Sequence, residues 1–227
     1  MNPPRLMIGV LTASLLGAAA VTVAAPAYAA TISTSATLEA SADLVVFSDD
    51  IYLDGGVTGV DPTTGVATYV TTGTISLQVL TSKNPTWVTV ATDTTPSSYF
   101  FSDIKPDSNS QYKVVYSGGA STTDTFTPSE SAPVSVDVQR KVKVAIKSEQ
   151  LTLKVTVKPD FAKKNIKVFI KKGKKYELLK KVRTDSTGKA SIKLPAKKGG
   201  GKLFFRIVVP GDADYAGFRE DYYTYSY

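Results

Sequence analysis

The segment LTLKVTVK, residues 151–158, alternates apolar and polar side chains without interruption. A period of two over four to eight residues puts every second side chain on one buried face, which is the pattern of a β-strand. The same pattern recurs in IKVFIK, residues 166–171, and in LFFRIVV, residues 203–209. Turn-forming residues follow these segments directly, as in KPD at 158–160 and PGD at 210–212. No helical stripe of useful length follows residue 30, so the sequence predicts an all-β chain.

The two halves of the chain are similar to each other. The run YKVVYSG, residues 112–118, lies 93 residues before FRIVVPG, residues 205–211. A repeat of this length corresponds to one β-sandwich and is too long for a solenoid unit. We therefore predict two tandem immunoglobulin-like β-sandwich domains, an acidic one at 30–138 and a basic one at 139–227. The boundary should fall between Val138 and Lys143, and the lack of a Gly/Ser linker should restrict relative motion.

Residues 1–29 have the composition of a cleaved signal peptide. Arg5 supplies a positive start, an apolar run extends from Leu6 to Ala25, and Ala27-Tyr28-Ala29 offers the small-x-small cleavage pattern. The alternative is a retained membrane anchor, because the run is about long enough to cross a bilayer. No second run of that length follows, so no transmembrane segment is expected in the mature chain. Cysteine is absent, which together with export favours a bacterial protein that is secreted or associated with the cell wall.

Several motifs of residues 75–138 occur in a recognisable order. Leu77-Gln-Val precedes Trp87-x-x-Val-Ala, which precedes the YKVVYSG run and a final Val-x-Val-x-Val segment. This order resembles the Ig-like repeat domains of exported bacterial proteins, and residues 151–217 carry a weaker copy with Tyr176 in place of the tryptophan. The resemblance implies two divergent tandem copies that act as spacers, adhesion modules or carbohydrate-associated modules. Its motifs are structural, and a shared fold does not fix a function.

The chain contains no histidine. This excludes serine–histidine, cysteine–histidine and histidine–zinc chemistry. Two carboxylates could in principle hydrolyse a glycosidic bond. However, the acidic residues of the first half lie mostly in polar turns, where nothing would raise a carboxyl pKa. We therefore predict no catalytic residue, no enzymatic activity and no cofactor.

Charge is divided unevenly between the two halves. Residues 31–138 contain 12 acidic and 3 basic residues, whereas residues 139–227 contain 8 acidic and 23 basic residues. Lys167, Lys171 and Arg206 fall on outward positions of strands that would pair in one sheet, and other lysines flank the turn at Gly173. A basic face of this kind attracts anionic polymers. The predicted polymer-binding residues are Lys167, Lys171, Lys172, Lys174, Lys175, Lys180, Lys181, Arg183 and Arg206.

Two other interpretations of these charges stay open. The lysines can form a solvated surface that protects strand edges from aggregation and aids solubility. Alternatively, the acidic domain of one molecule can dock on the basic domain of another and produce head-to-tail assembly. The same charges can also attract the two domains of one chain to each other.

Three smaller features carry further hypotheses. Trp87, the only tryptophan, is expected in or beside the core of the first domain. Exposed tyrosines near the C-terminus can stack on sugar rings, although tyrosines of a terminal strand often alternate between core and surface; they are Tyr222, Tyr223, Tyr225 and Tyr227. Clustered aspartates can supply oxygen ligands for calcium, although turn formation explains them equally well; they are Asp49, Asp50 and Asp54, with Asp61 nearby. Asp212 and Asp214 form a second acidic turn.

Together these features favour a non-enzymatic exported structural or binding protein of a bacterial envelope. Its basic C-terminal domain would attach electrostatically to an anionic cell-wall polymer or polysaccharide, and the acidic N-terminal domain would project outward. The alternative is a spacer or self-assembling module that contacts only protein, either itself or another envelope protein. No specific nucleic-acid partner is expected.

Overall fold

A computed structural model describes residues 30–226, so the predicted signal peptide at 1–29 and Tyr227 lie outside the described residues. The strands of the first half are β1 (Ala30–Ala36), β2 (Glu39–Ala40), β3 (Leu44–Val46), β4 (Ile51–Gly55), β5 (Val57–Val60), β6 (Ala67–Tyr69), β7 (Ile75–Thr81), β8 (Val88–Asp93), β9 (Tyr99–Ile104), β10 (Ser110–Tyr116), β11 (Gly119–Ala120), β12 (Asp124–Phe126), β13 (Ser129–Glu130) and β14 (Val134–Gln139). Those of the second half are β15 (Lys141–Lys147), β16 (Thr152–Lys158), β17 (Asn165–Lys172), β18 (Lys175–Arg183), β19 (Lys189–Lys193), β20 (Gly201–Val209) and β21 (Phe218–Ser226), with a 3₁₀ turn at Ser148–Gln150.

The strands of the first half enclose one core. Their sheets have the orders β11-β12-β1-β5-β6, β2-β4-β9 and β3-β14-β10-β7-β8, with β13 beside β10. Alternation along β10 explains the burial, because Tyr112, Val114 and Tyr116 point inward and are at most 3% exposed. Val114 pairs with Leu77 of β7, which is also fully buried. The apolar face predicted from the sequence is therefore the face that packs.

The strands of the second half form a smaller sandwich from two sheets, β15-β16-β19 and β18-β17-β20-β21. Val168 of β17 pairs with Ile207 of β20, and both are fully buried together with Phe205. Each such side chain contributes about 1.5–3 kcal/mol by leaving water. The prediction of an all-β chain with tandem immunoglobulin-like sandwiches is confirmed. Among residues 30–226 there is no helix of the length and apolarity needed to span a bilayer.

The sequence repeat corresponds to equivalent strand pairs. Tyr112 of β10 pairs with Val79 of β7, and Phe205 of β20 pairs with Ile170 of β17. Both pairs are antiparallel and central in their sheets, so β7 and β10 in one half correspond to β17 and β20 in the other. The exact division of the chain at residue 138 stays a prediction. The structure shows that β14 ends at Gln139 and that β15 begins two residues later, at Lys141.

The loop between β20 and β21 reaches from the second sandwich into the first. Tyr215 of this loop is 1% exposed and belongs to the core of the first sandwich. Its hydroxyl donates to the carbonyl oxygen of Asp107 at 2.9 Å, and its ring meets Phe47 edge-on with centroids 6.4 Å apart. The backbone N–H of Ala216 donates to the carbonyl of Val138 at 2.8 Å. The acidic turn at 212–214 is thus part of a docking loop, and Tyr215 fastens it.

Arg140 lies between the two sandwiches, in the single residue that separates β14 from β15. Its side chain is 1% exposed and its Nη2 donates to Asp212 Oδ2 at 2.6 Å. Its Nε donates to the carbonyl of Pro159 at 3.0 Å. The guanidinium carbon lies 4.2 Å from the ring centroid of Tyr215 and 5.2 Å from that of Phe161. A buried cation that is hydrogen-bonded and stacked in this way favours one arrangement of the two sandwiches.

The junction makes the stability of the chain sensitive to acid. Partial burial alone would raise the pKa of Asp212, but hydrogen bonds from Arg140 and Lys164 outweigh it and lower this pKa below its usual range. A carboxyl whose pKa is depressed on folding stabilises the protein above its unfolded pKa of about 3.9, and this contribution is lost as pH falls through the folded pKa.

We expect Asp212→Asn to have a lower melting midpoint than the unmodified chain at neutral pH. The difference between the two midpoints should become smaller as pH falls below about 4. Melting midpoints measured from pH 7 to pH 2 check this expectation. The neighbouring Asp214→Asn is the control, because Asp214 makes no ion pair among residues 30–226. If the melting midpoints of Asp212→Asn and the unmodified chain differ by the same amount at every pH, a lowered pKa of Asp212 does not stabilise the junction.

Candidate functional site

The outer surface of the sheet β18-β17-β20-β21 combines cations with exposed aromatic rings. We call it the basic–aromatic face and define it by the outward side chains of these strands. They are Asn165, Lys167, Phe169, Lys171, Tyr176, Leu178, Lys181, Arg183, Lys202, Phe204, Arg206, Val208, Arg219, Asp221, Tyr223 and Tyr225.

Strand register arranges these residues in rows across the face. One row brings Lys181 of β18 opposite Lys167 of β17, and the row continues through Val208 to Arg219 of β21. The row at the other end pairs Lys202 with Tyr225. Between them Phe204 pairs with Tyr223, and their rings lie 6.1 Å apart. The face therefore has basic residues at both ends, and its exposed aromatic rings lie along the side formed by β20 and β21.

Lysine ammonium groups lie next to the exposed rings. The Nζ of Lys202 lies 4.7 Å from the ring centroid of Tyr223, and that of Lys171 lies 5.4 Å from the centroid of Phe204. Phe204, Tyr223 and Tyr225 are 40%, 52% and 43% exposed. Lys171 and Lys202 are exposed as well, so the ammonium groups and part of each ring remain in contact with solvent.

Arg206 has a different role, because its charge is already engaged. Its Nε and Nη2 both donate to the carboxylate of Asp221, the Nη2 contact at 2.8 Å, and Tyr176 covers its guanidinium at 4.0 Å. The hydrogen bond from Arg206 lowers the pKa of Asp221, so this pair stays ionised and largely self-neutralised. Arg206 thus organises the centre of the face.

The first sandwich repeats this arrangement. Lys113, 93 residues before Arg206, donates to Glu130 at 2.7 Å and lies 4.9 Å from the ring of Trp87.

The expectation that Trp87 lies in or beside the core is wrong. The residue directly precedes β8, is half-buried and packs on Lys113, whose side chain points away from the core.

The predicted basic residues occupy several environments. Among the ion pairs of residues 30–226, none involves Lys167, Lys171 or Lys181. Lys172 pairs with Glu177 at 2.8 Å. Lys174 and Lys175 lie beside the face at the hairpin turn, and Lys180 lies at a bulge of β18. Arg183 lies on the face opposite Asn165, and its Nε donates to the carbonyl of Lys163.

The tyrosine and lysine hypotheses concern the same surface. Tyr223 and Tyr225 are exposed on the basic–aromatic face, whereas Tyr222 points inward and stacks on Phe205 with centroids 5.7 Å apart. Tyr227 lies outside the described residues. Lys202 and Phe204 were not predicted as site residues, although both occupy outward positions of β20, the strand that also contains Arg206.

A groove of about 510 Å³ borders the hairpin end of this face. Phe204, Lys171, Lys172, Lys197 and Lys202 line it together with Gly173 and Pro195. A concave site with several cations and one aromatic wall suits part of an extended anionic chain better than a small apolar ligand.

The opposite sheet, β15-β16-β19, presents a second basic surface without aromatic rings. Its outward residues include Lys143, Lys154 and Lys189, which line a shallow groove of about 860 Å³ with Asp185 and small side chains. The two surfaces carry similar lysines, and the aromatic rings distinguish them. This second surface is therefore a natural internal control.

The structure does not bring the candidate calcium ligands together. Asp49 lies 3.8 Å from Lys141, and Asp54 is on β4, opposite Phe100 of β9. Asp61 accepts hydrogen bonds from the backbone of Thr63 and Thr64, which forms a local turn. Within residues 30–226, no group of three His, Cys, Asp or Glu side chains is positioned to hold a metal ion.

Comparison with known proteins gives no family assignment. No protein-family model matches the chain, and no curated protein matches it either. Among solved structures, it is similar to a tetra-tandem repeat from the extending region of a large adhesion protein, at 13% identity and a TM-score of 0.41, covering 86% of this chain and 50% of that one. The chain therefore spans half the length of that fragment.

Two further solved structures overlap with most of the chain. The FN1–FN3 domains of chicken CNTN1 match at 14% identity and a TM-score of 0.31, covering 86% of this chain and 66% of that one. The ligand-binding domain of human OSCAR matches at 11% identity and a TM-score of 0.30, covering 83% and 97%. Overlaps this loose carry no inference about what the chain binds.

Proposed function

We propose that this chain is a non-enzymatic, exported structural and binding protein of a bacterial envelope. The basic–aromatic face of the second sandwich attaches it to an anionic cell-surface polymer, and the acidic first sandwich projects away from that polymer. The observation that carries the proposal is the cluster of lysines on one sheet face that make no ion pair within residues 30–226. Ion pairing there would cancel the field that attracts a polyanion.

The acidic first half supports the same orientation. Its 12 acidic residues against 3 basic ones make it repel the polymer that the second half attracts. The docking loop and Arg140 hold the two sandwiches together, so attraction at one end and repulsion at the other orient the whole molecule. The polymer then contacts the second sandwich and leaves the first free for other contacts.

Charge reversal on the face tests the proposal. We expect the combined substitutions Lys167→Glu, Lys171→Glu, Lys181→Glu and Lys202→Glu to weaken retention of the chain on purified bacterial cell walls by about tenfold or more at low salt, because each removes an attractive charge and adds a repulsive one. Retention of the unmodified chain should fall steeply as salt rises. Co-sedimentation across a salt series measures both effects.

The matched control changes net charge equally on the opposite sheet. It combines Lys143→Glu, Lys147→Glu, Lys154→Glu and Lys189→Glu, all at exposed outward positions, and should retain most of the binding. If both quadruple variants lose retention on cell walls to the same extent, overall charge governs retention and the basic–aromatic face does not. No retention of the unmodified chain at low salt would end the proposal altogether.

A further inference from the structure

Two unpaired lysines of the basic–aromatic face lie next to exposed rings. Lys202 Nζ lies 4.7 Å from the centroid of Tyr223 and 5.9 Å from that of Tyr225, while Lys171 Nζ lies 5.4 Å from Phe204. Three exposed rings and two ammonium groups therefore share one patch. A polymer recognised only by its charge would need the lysines but not the rings.

The rings form a continuous strip. The centroids of Phe204 and Tyr223 lie 6.1 Å apart, and those of Tyr223 and Tyr225 lie 6.0 Å apart with their planes nearly perpendicular. The strip crosses from β20 to the edge strand β21. Exposed apolar surface of this kind costs solubility, and tyrosine adds a hydroxyl that can hydrogen-bond to a polar ligand. Such a strip suits an amphipathic ring that has one apolar face and polar edges.

We infer that the polymer bound by this face is a polysaccharide whose sugar rings carry carboxylate groups. This inference rests on the proposed function and specifies the ligand of the same site. In a uronic acid the carboxylate is bonded to the sugar ring itself, so one repeat unit presents a C–H face to Tyr223 or Tyr225 and a negative charge to Lys202. The short separation of ring and ammonium on the protein matches that arrangement.

Other polyanions fit the patch less well. A polyphosphate or an acidic polypeptide has charge but no apolar ring face, so the aromatic strip would contribute nothing to its binding. A single-stranded nucleic acid has bases that stack on aromatic side chains, but a ribose separates each base from its phosphate. Its phosphate and its base are therefore too far apart to contact Lys202 and Tyr223 at the same time.

The test compares three probes on the full chain: polygalacturonate, poly-L-glutamate and oligo-deoxythymidine. We expect the unmodified chain to bind polygalacturonate most tightly at equal salt. The double substitution Tyr223→Thr and Tyr225→Thr keeps residues suited to a strand but removes both rings. This double substitution should weaken polygalacturonate binding about tenfold, because the stacking on each ring contributes little but the contributions of the two rings add. Binding of poly-L-glutamate should change less than twofold.

The matched control removes an exposed aromatic pair elsewhere. Tyr52 and Phe100 stack with centroids 5.3 Å apart on the first sandwich and are 47% and 58% exposed. Tyr52→Thr with Phe100→Thr should leave binding of all three probes unchanged. Thermal melts of both double variants establish that each is folded before its affinity is compared.

The outcomes separate this inference from the proposed function. If all probes bind with equal affinity and the tyrosine variant is unaffected, the face binds polyanions by charge alone and the inference is wrong. If oligo-deoxythymidine binds most tightly and depends on Tyr223 and Tyr225, the ligand is a nucleic acid and the inference is again wrong. If no probe is bound at low salt, the proposed function fails first.

Discussion

Replacing Tyr215 by alanine should destabilise the chain by about 3–5 kcal/mol, because it removes a large aromatic side chain that is 1% exposed in the core of the first sandwich. Since the residue belongs to a loop of the second sandwich, the two halves should also lose their coupling. We expect calorimetry to show one unfolding transition for the unmodified chain and two for Tyr215→Ala. The first of these should fall about 6–20 °C below the original midpoint.

The control for this prediction is Tyr215→Phe. It keeps the ring against Phe47 and loses only the hydroxyl, which donates to the carbonyl of Asp107 at 2.9 Å. Loss of one such hydrogen bond should cost about 1 kcal/mol and preserve a single transition. If the alanine and phenylalanine variants unfold alike, the ring does not join the two cores and the prediction is wrong.

Arg140→Ala has the second large expected effect. Arg140 is 1% exposed, donates to Asp212 and to the carbonyl of Pro159, and lies against the rings of Tyr215 and Phe161. Its removal loses these charge-assisted hydrogen bonds and the packing of the side-chain stem, and it leaves a cavity. We expect a loss of about 3 kcal/mol in the free energy of unfolding, measured by urea denaturation.

Lys164→Ala is the matched control, because Lys164 donates to the same Asp212 oxygen at 3.0 Å but is 45% exposed. An exposed ion pair is worth about 0–1 kcal/mol, so this variant should unfold close to the unmodified chain. Equal losses for Lys164→Ala and Arg140→Ala would mean that the burial of Arg140 contributes nothing. The free energy of unfolding of Arg140→Lys should lie closer to that of Arg140→Ala than to that of the unmodified chain. Lysine keeps the charge, but it lacks the planar guanidinium group and its stacking on the rings.

Alternation and the 93-residue repeat were together sufficient to predict the fold, and alternation also predicted part of the site. The inward residues of β10 and β20 follow directly from a period of two, as does the outward position of Lys167 and Lys171. The same alternation also marks Phe204 and Lys202 as outward, so these residues could have been found by treating charge and aromaticity together. The 93-residue repeat could likewise have related Lys113 to Arg206.

Other features depend on register and loop conformation, which alternation does not specify. The pairing of Arg206 with Asp221 requires the register of β20 against β21, and nothing local in the sequence defines it. The docking of Tyr215 could not be predicted because PGDADYAG, residues 210–217, has the composition of an exposed turn. Trp87 was misplaced because a large aromatic residue ordinarily indicates a core, whereas here its ring lies 4.9 Å from the ammonium of Lys113.

The docking loop has a mechanical consequence for a molecule held at one end. β14 continues into β15 across a single residue, and the loop forms a second, parallel attachment between the sandwiches through Tyr215. Two attachments resist bending of one sandwich relative to the other, whereas a single peptide connection would allow the sandwiches to rotate freely. A tensile load on the first sandwich would therefore reach the sheet that we propose binds the polymer through a stiff connection, and rupture of the Tyr215 contact would leave only a flexible one.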